Sequence, residues 1–269
     1  EEPLKKSEIY DHPRLVLTPH LGASTSEAQD GVANEVVEQM LDVMEGRTPS
    51  YAVNAPLAPA ETVKEIAPFI PVCLSAGQLI SQLLDGQPES LEIFFHGDIA
   101  KYDTGVLRAS VISGFMERSS EERVSIVNAT LVAQRRGIKV TERKNEDVEE
   151  FYGNLITIEA KSSEGSSLIS GALINGQVHI VKLGSHLVDI VPSGKPWIMI
   201  NHTDRPGMIG HIGTVTGEND INIASMQVSR EDARGPTLTV LGLDQEVDPE
   251  QLESIINIDD VNRVRVAHI

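Results

Sequence analysis

His20, within Thr18-Pro19-His20-Leu21-Gly22-Ala23-Ser24, is the first residue of this chain whose type and setting suit chemistry. An imidazole with an ordinary pKa of about 6.5 takes or gives a proton at working pH. A lone histidine in a turn serves equally as a surface or capping residue, and residue types alone leave both readings open. A second group lies in Asn201-His202-Thr203-Asp204-Arg205-Pro206-Gly207, followed by Asp220-Ile221-Asn222. An α-amino acid needs N–H donors for its carboxylate, which a helix start supplies, and an acceptor such as Asp204 for its ammonium. The plainer alternative makes Asp204 the N-cap of that helix, His202 a strand end and Asn222 a turn.

These residues require particular elements around them. Arg14-Leu15-Val16-Leu17-Thr18 reads as a short buried strand. Ser24 and Glu27 have capping-box spacing and open a helix that Gly46 closes, with Ala28, Val32, Val36, Met40 and Val43 forming one apolar face. Turn-rich breaks at Thr48–Pro56 and Pro192–Pro196 divide the chain into segments 1–50, 51–193 and 194–269. In the middle segment helices are expected at Ala76–Leu84, Thr104–Glu117 and Asn128–Arg136. Strands are expected there at Leu91–Gly97, Leu155–Glu159, Ser167–Ile174 and Gln177–Leu183, the last two joined through an Asn175-Gly176 hairpin.

The last segment reads strand, helix, strand, strand, helix, strand: Trp197–His202, Arg205–Glu218, Asn222–Ser229, Thr237–Leu243, Pro249–Ile256 and Val261–Ala267. This βαββαβ order is the ferredoxin-like arrangement. Met208, Ile209, Ile212 and Val215 are expected to cover the sheet, with Gly210 and Gly213 allowing close approach. The fold class is therefore α/β and α+β.

Composition narrows the function classes. Forty acidic against 22 basic residues give a net charge of −18, a field that disfavours nucleic-acid partners. Cys73 is the only cysteine, so no intrachain disulfide forms, which fits a cytoplasmic setting; its apolar neighbours predict burial rather than reactivity. No metal site is expected. No run is read as approaching the roughly 20 apolar residues of a membrane helix, so no membrane partner is expected.

Leu17-Thr18-Pro19-His20-Leu21-Gly22-Ala23-Ser24-Thr25 resembles the end of the catalytic core in D-2-hydroxyacid dehydrogenases, most closely the D-3-phosphoglycerate dehydrogenases. The resemblance implies a general acid/base role for His20, and NAD contact for His20, Leu21, Gly22 and Ala23. That family's Gly-rich dinucleotide loop, catalytic Arg and His-orienting Glu would lie upstream. The chain is accordingly expected to be the carboxyl-terminal part of a longer NAD enzyme, with no cofactor bound to this portion and no dehydrogenase activity of its own. The middle segment resembles the intervening, allosteric-substrate-binding domain of the long form. Its few basic strand residues, His179, Lys182 and His186, favour a spacer over an anion site.

Residues 194–269 resemble ACT domains, the amino-acid sensors of biosynthetic enzymes, and imply L-serine as effector at His202, Asp204 and Asn222. In βαββαβ topology His202 ends the first strand while Asn222 begins the second, parallel to it. Strands of five or six residues span about 17–20 Å, so one small ligand touching all three residues requires two such domains side by side about a twofold axis, a homo-oligomer. Two alternatives remain: a free-standing amino-acid-binding regulator, and a subunit related to L-serine dehydratase. One cysteine argues against the latter's iron–sulfur cluster unless another chain holds it.

Overall fold

A computed structural model of the chain describes residues 8–18, 20–45, 51, 53, 60–120, 123–147 and 152–268. It resolves into two units, Glu1–Val53 and Asn54–Ile269. In the first, α1 (Ser26–Met44) forms as its apolar spacing predicts, yet buries none of its residues. Its N-cap is Thr25 rather than Ser24. Thr25 holds the extended backbone conformation before the first turn, and its side chain accepts from the N–H of Ala28, so the expected capping box does not form. Arg14–Thr18 is not a buried strand: Val16 is 88% and Leu17 53% exposed. A strand exists only where neighbours take up its N–H and C=O groups, and no described segment pairs with this one. Gly46 and most of the Thr48–Pro56 connector lie outside the described residues.

In the second unit α2 (Ala60–Ile66) leads into α3 (Ile70–Leu83), then β1 (Pro88–Gly97), α4 (Gly105–Met116), α5 (Ala129–Arg135) and β2 (Lys139–Asn145). Four more strands follow: β3 (Asn154–Ser162), β4 (Gly165–Ile174), β5 (Gln177–Leu183) and β6 (His186–Ile190). They build a six-stranded sheet in the order β2-β1-β3-β4-β5-β6, parallel only between β1 and β2. Val72, Cys73, Ala76, Leu79 and Ile80 of α3 join Leu91, Ile93, Phe95, Ile156 and Ile158 in its core. Cys73 is fully buried, and that burial pushes its thiol pKa far up.

Two glycines set how closely α3 meets α4. A Cβ on Gly77 would lie 2.3 Å from the Val111 carbonyl oxygen, and one on Gly114 equally close to that of Leu74. Contrary to the sequence reading, Glu61–Leu83, at 23 residues and mean hydropathy 1.4, is long and apolar enough by composition to cross a membrane. The same apolar content serves the core position of α3. Strands β2 and β6 lie outside the expected set. The first is a charged edge strand, Lys-Val-Thr-Glu-Arg-Lys-Asn, the composition that edges use to avoid pairing with other chains.

The remaining elements are β7 (Pro196–Thr203), α6 (Met208–Glu218), β8 (Ile223–Arg230), β9 (Pro236–Leu243), α7 (Pro249–Ile256) and β10 (Val261–His268). Their antiparallel sheet has the ferredoxin-like order β10-β7-β9-β8. Asp248 and Gln251 close a full capping box on α7. One face, with Ile198, Ile200 and Leu241, packs on Met208, Ile212 and Ile255 of the two helices. The other, with Trp197, Met199, Leu238 and Val240, shares the core of the first sheet. At that junction Asp85, just beyond α3, pairs with both Arg263 and Arg265 of β10. The Gln227 side chain of β8 bonds the N–H and C=O of Asp189 on β6.

The start of α6 departs from expectation. Helix begins at Met208, three residues after Arg205, with Gly207 at φ 93° as its N-cap. Along it Met208, Ile212 and Thr216 face inward, whereas Ile209 is 54% exposed. A Cβ on Gly210 or Gly213 would meet nothing, so neither glycine serves close packing.

Candidate effector site

A cavity of about 420 Å³ opens where β7 ends, between the start of α6 and the end of β8. His202, Asp204, Arg205, Val228, Arg230 and Arg234 are among its walls, together with Pro206 to Gly210. Sheet register explains the meeting. His202 on β7 and Arg230 on β8 both lie opposite Thr237 on the intervening β9. The loop after Arg230 then returns through Arg234, a non-glycine residue at φ 64°.

Asp204 does not cap α6. Its Oδ2 accepts from the Arg234 N–H at 3.2 Å and from Arg230 Nη1 at 2.9 Å, while its own N–H donates to the Gly235 carbonyl. The Arg234 N–H, and after it the Arg230 guanidinium, hold its carboxyl below the usual carboxylate range. His202 is buried, with Nε2 2.8 Å from Thr239 Oγ1 and Nδ1 3.2 Å from the Thr203 carbonyl oxygen. The carbonyl only accepts, so Nδ1 carries a proton toward it, and in the neutral ring Nε2 receives the Thr239 hydroxyl. Arg205 turns to the loop before β10, pairing with Asp260 at 2.5 Å and with the Asp259 carbonyl.

At the start of α6 the Met208 N–H donates to the Arg205 carbonyl at 3.2 Å and the His211 N–H to the Gly207 carbonyl at 2.9 Å, and the Ile209 and Gly210 N–H groups between them have no partner within the helix. The cavity thus combines one carboxylate, backbone donors and three guanidinium side chains, an arrangement that fits a small zwitterion. The arginines at 205, 230 and 234 were not singled out from sequence. Arg230 lies 26 residues beyond Asp204, and only β8–β9 pairing brings it back.

Asn222 is not in this cavity. Its Nδ2 donates to Asp244 Oδ2 at 2.5 Å, and Lys195 holds the other Asp244 oxygen at 2.8 Å. Asp244 stands seven residues along the chain from Thr237, roughly 23 Å at strand rise. Within one chain the structure therefore unites His202 and Asp204 and leaves Asn222 at the far end of the sheet. Of the residues named around the N-terminal motif, His20, Leu21, Gly22 and Ala23 are all exposed. His179 pairs with Asp189 at 2.5 Å, whereas His186 lines a smaller cleft with Arg263 and Arg265, so the basic residues of that segment do not form one site.

Residues 65–184 match the family model for the D-3-phosphoglycerate dehydrogenase intervening domain. The whole chain is 34% identical to a D-3-phosphoglycerate dehydrogenase of Methanocaldococcus jannaschii, covering 51% of that relative. It is 35% identical over 96% of its length to one from Synechocystis, covering 47%, and 32% identical over 98% to one from Bacillus subtilis, covering 50%. The chain thus spans about half the length of the curated relatives it matches.

Proposed function

From the homology of this chain, along its whole length, to the carboxyl-terminal half of D-3-phosphoglycerate dehydrogenases, we propose that it is the regulatory portion of such an enzyme. In that role the parent oxidises 3-phosphoglycerate to 3-phosphohydroxypyruvate with NAD in the cytoplasm, and residues 194–269 act as an ACT-type sensor of L-serine. His20 is assigned as the parent's general acid/base. NAD contact falls to His20, Leu21, Gly22 and Ala23.

The observation that carries the sensor reading is the cavity at the β7–α6 turn, where a carboxylate and a helix N-terminus face the same small space. Asp204 suits the ammonium of serine and the first N–H groups of α6 suit its carboxylate. β8 is an edge of its sheet. Two copies pairing along β8 in antiparallel fashion set the Asn222 of one beside the Arg230 of the other. On this reading the effector site lies between subunits, and Asn222 completes a cavity in its partner.

Calorimetric titration with L-serine, alongside sedimentation of the same sample, tests this. Binding that saturates at one serine per chain in a dimer or larger assembly is expected. Absence of binding by the folded protein, or binding by a strict monomer, overturns the respective half of the proposal. Supplied with NAD and 3-phosphoglycerate, the chain alone is expected to form no NADH.

A further inference from the structure

The sensor reading leaves one feature of the cavity without a role: its only paired carboxylate is already occupied. Arg230 donates to Asp204 Oδ2 over 2.9 Å, from a side chain 57% exposed on an edge strand. A guanidinium therefore sits where the ammonium of an amino acid would be held. The Arg234 N–H meets the same oxygen, and no donor among the described residues reaches Oδ1.

We propose that the Arg230–Asp204 pair is a zwitterion reader: it opens to admit an α-amino acid, giving Asp204 to the ammonium and adding the Arg230 guanidinium to the α6 N–H groups that meet the carboxylate. The inference rests on the amino-acid-sensing reading above and adds to it the basis of selectivity. Inserting a zwitterion exchanges one ion pair for two and leaves no protein charge unpaired. An amine offered alone takes Asp204 and strands the guanidinium; a carboxylic acid offered alone takes Arg230 and strands the carboxylate. Either half-ligand breaks the closed pair to form a single new one, whereas the zwitterion forms two, so the closed pair disfavours both halves relative to the whole. Arg230 suits this exchange because a long exposed side chain swings at little cost, and its planar fork meets a carboxylate with two N–H groups. Asp204 stays fixed meanwhile, since the Arg234 N–H and the Gly235 carbonyl hold its side chain and backbone.

The test titrates the intact chain with L-serine, with ethanolamine (serine without its carboxylate) and with 3-hydroxypropionate (serine without its ammonium), in the native protein and in Arg230→Gln. Native protein is expected to prefer serine to either analogue by at least about tenfold. In Arg230→Gln serine should weaken about 10- to 100-fold, the range for losing one charge-assisted bond, while ethanolamine holds or gains. Arg230→Lys, which keeps the charge and loses the fork, should fall between. Thermal melts confirm that each variant is folded. Serine binding unchanged in Arg230→Gln, or serine and ethanolamine weakened equally, overturns the reader while leaving the sensor standing. Native protein that binds none of the three overturns both.

Discussion

His202 and Asn222 sit at opposite ends of one four-stranded sheet, the first beside Thr237 and the second beside Asp244. No bend within a chain brings them together, so any small ligand touching both must bridge two chains. This turns a residue pairing into a complementation experiment. Asp204→Asn and Asn222→Ala are each expected to lose serine binding. Equal mixing of the two should restore about a quarter of the sites, since half the dimers are mixed and each has one intact site. No recovery after subunit exchange would place the site within one chain.

The buried imidazole of His202 depends on Thr239. Thr239→Val keeps the side-chain volume and removes the hydroxyl 2.8 Å from Nε2, leaving a buried acceptor unsatisfied. A loss of about 1–3 kcal/mol in urea unfolding is expected. A neutral result would mean that water replaces the hydroxyl.

Gly77 and Gly213 should respond oppositely to alanine. At Gly77 the new methyl meets the Val111 carbonyl oxygen at 2.3 Å and the Phe115 nitrogen at 2.9 Å, so α3 and α4 must part, at about 1–3 kcal/mol or more. At Gly213, inside α6, the methyl meets nothing, and Gly213→Ala should stabilise by up to about 1 kcal/mol. Chemical denaturation midpoints of the two variants measure both signs.

The Asp204 carboxyl titrates below its ordinary value of 3.8 because the Arg234 N–H and the Arg230 guanidinium favour its charged form. A depressed folded-state pKa stabilises the fold above the unfolded value, and that contribution disappears as pH falls through the folded value. The affected window therefore lies in acid, below 3.8. Carboxyl NMR titration should place Asp204 there. Arg230→Gln should raise it only part of the way, because the backbone bond from Arg234 survives.

Much of the fold was legible from local pattern. Asn175-Gly176 made its hairpin with φ of 50° and 79°, and the βαββαβ order was present in alternating apolar runs. Where neighbours decide, the pattern misled. Leu15–Leu17 has the composition of a buried strand and no described partner. Lys139–Asn145 has the composition of a loop, and β1 makes it a strand through parallel pairing.

The candidate site divides along the same line. In the sequence, resemblance to ACT domains singles out Asp204, His202 and Asn222, while residue types alone leave a capping turn equally open, and strand direction follows from connectivity. It also implied that the last of the three could not join the others in one chain. Only tertiary structure decided what Asp204 does. Its helix starts too late to be capped, and β8 carries Arg230 back across 26 residues to occupy its carboxylate. Capping and periodicity are fixed by neighbours in the chain, whereas that ion pair is fixed by the register of one strand on another.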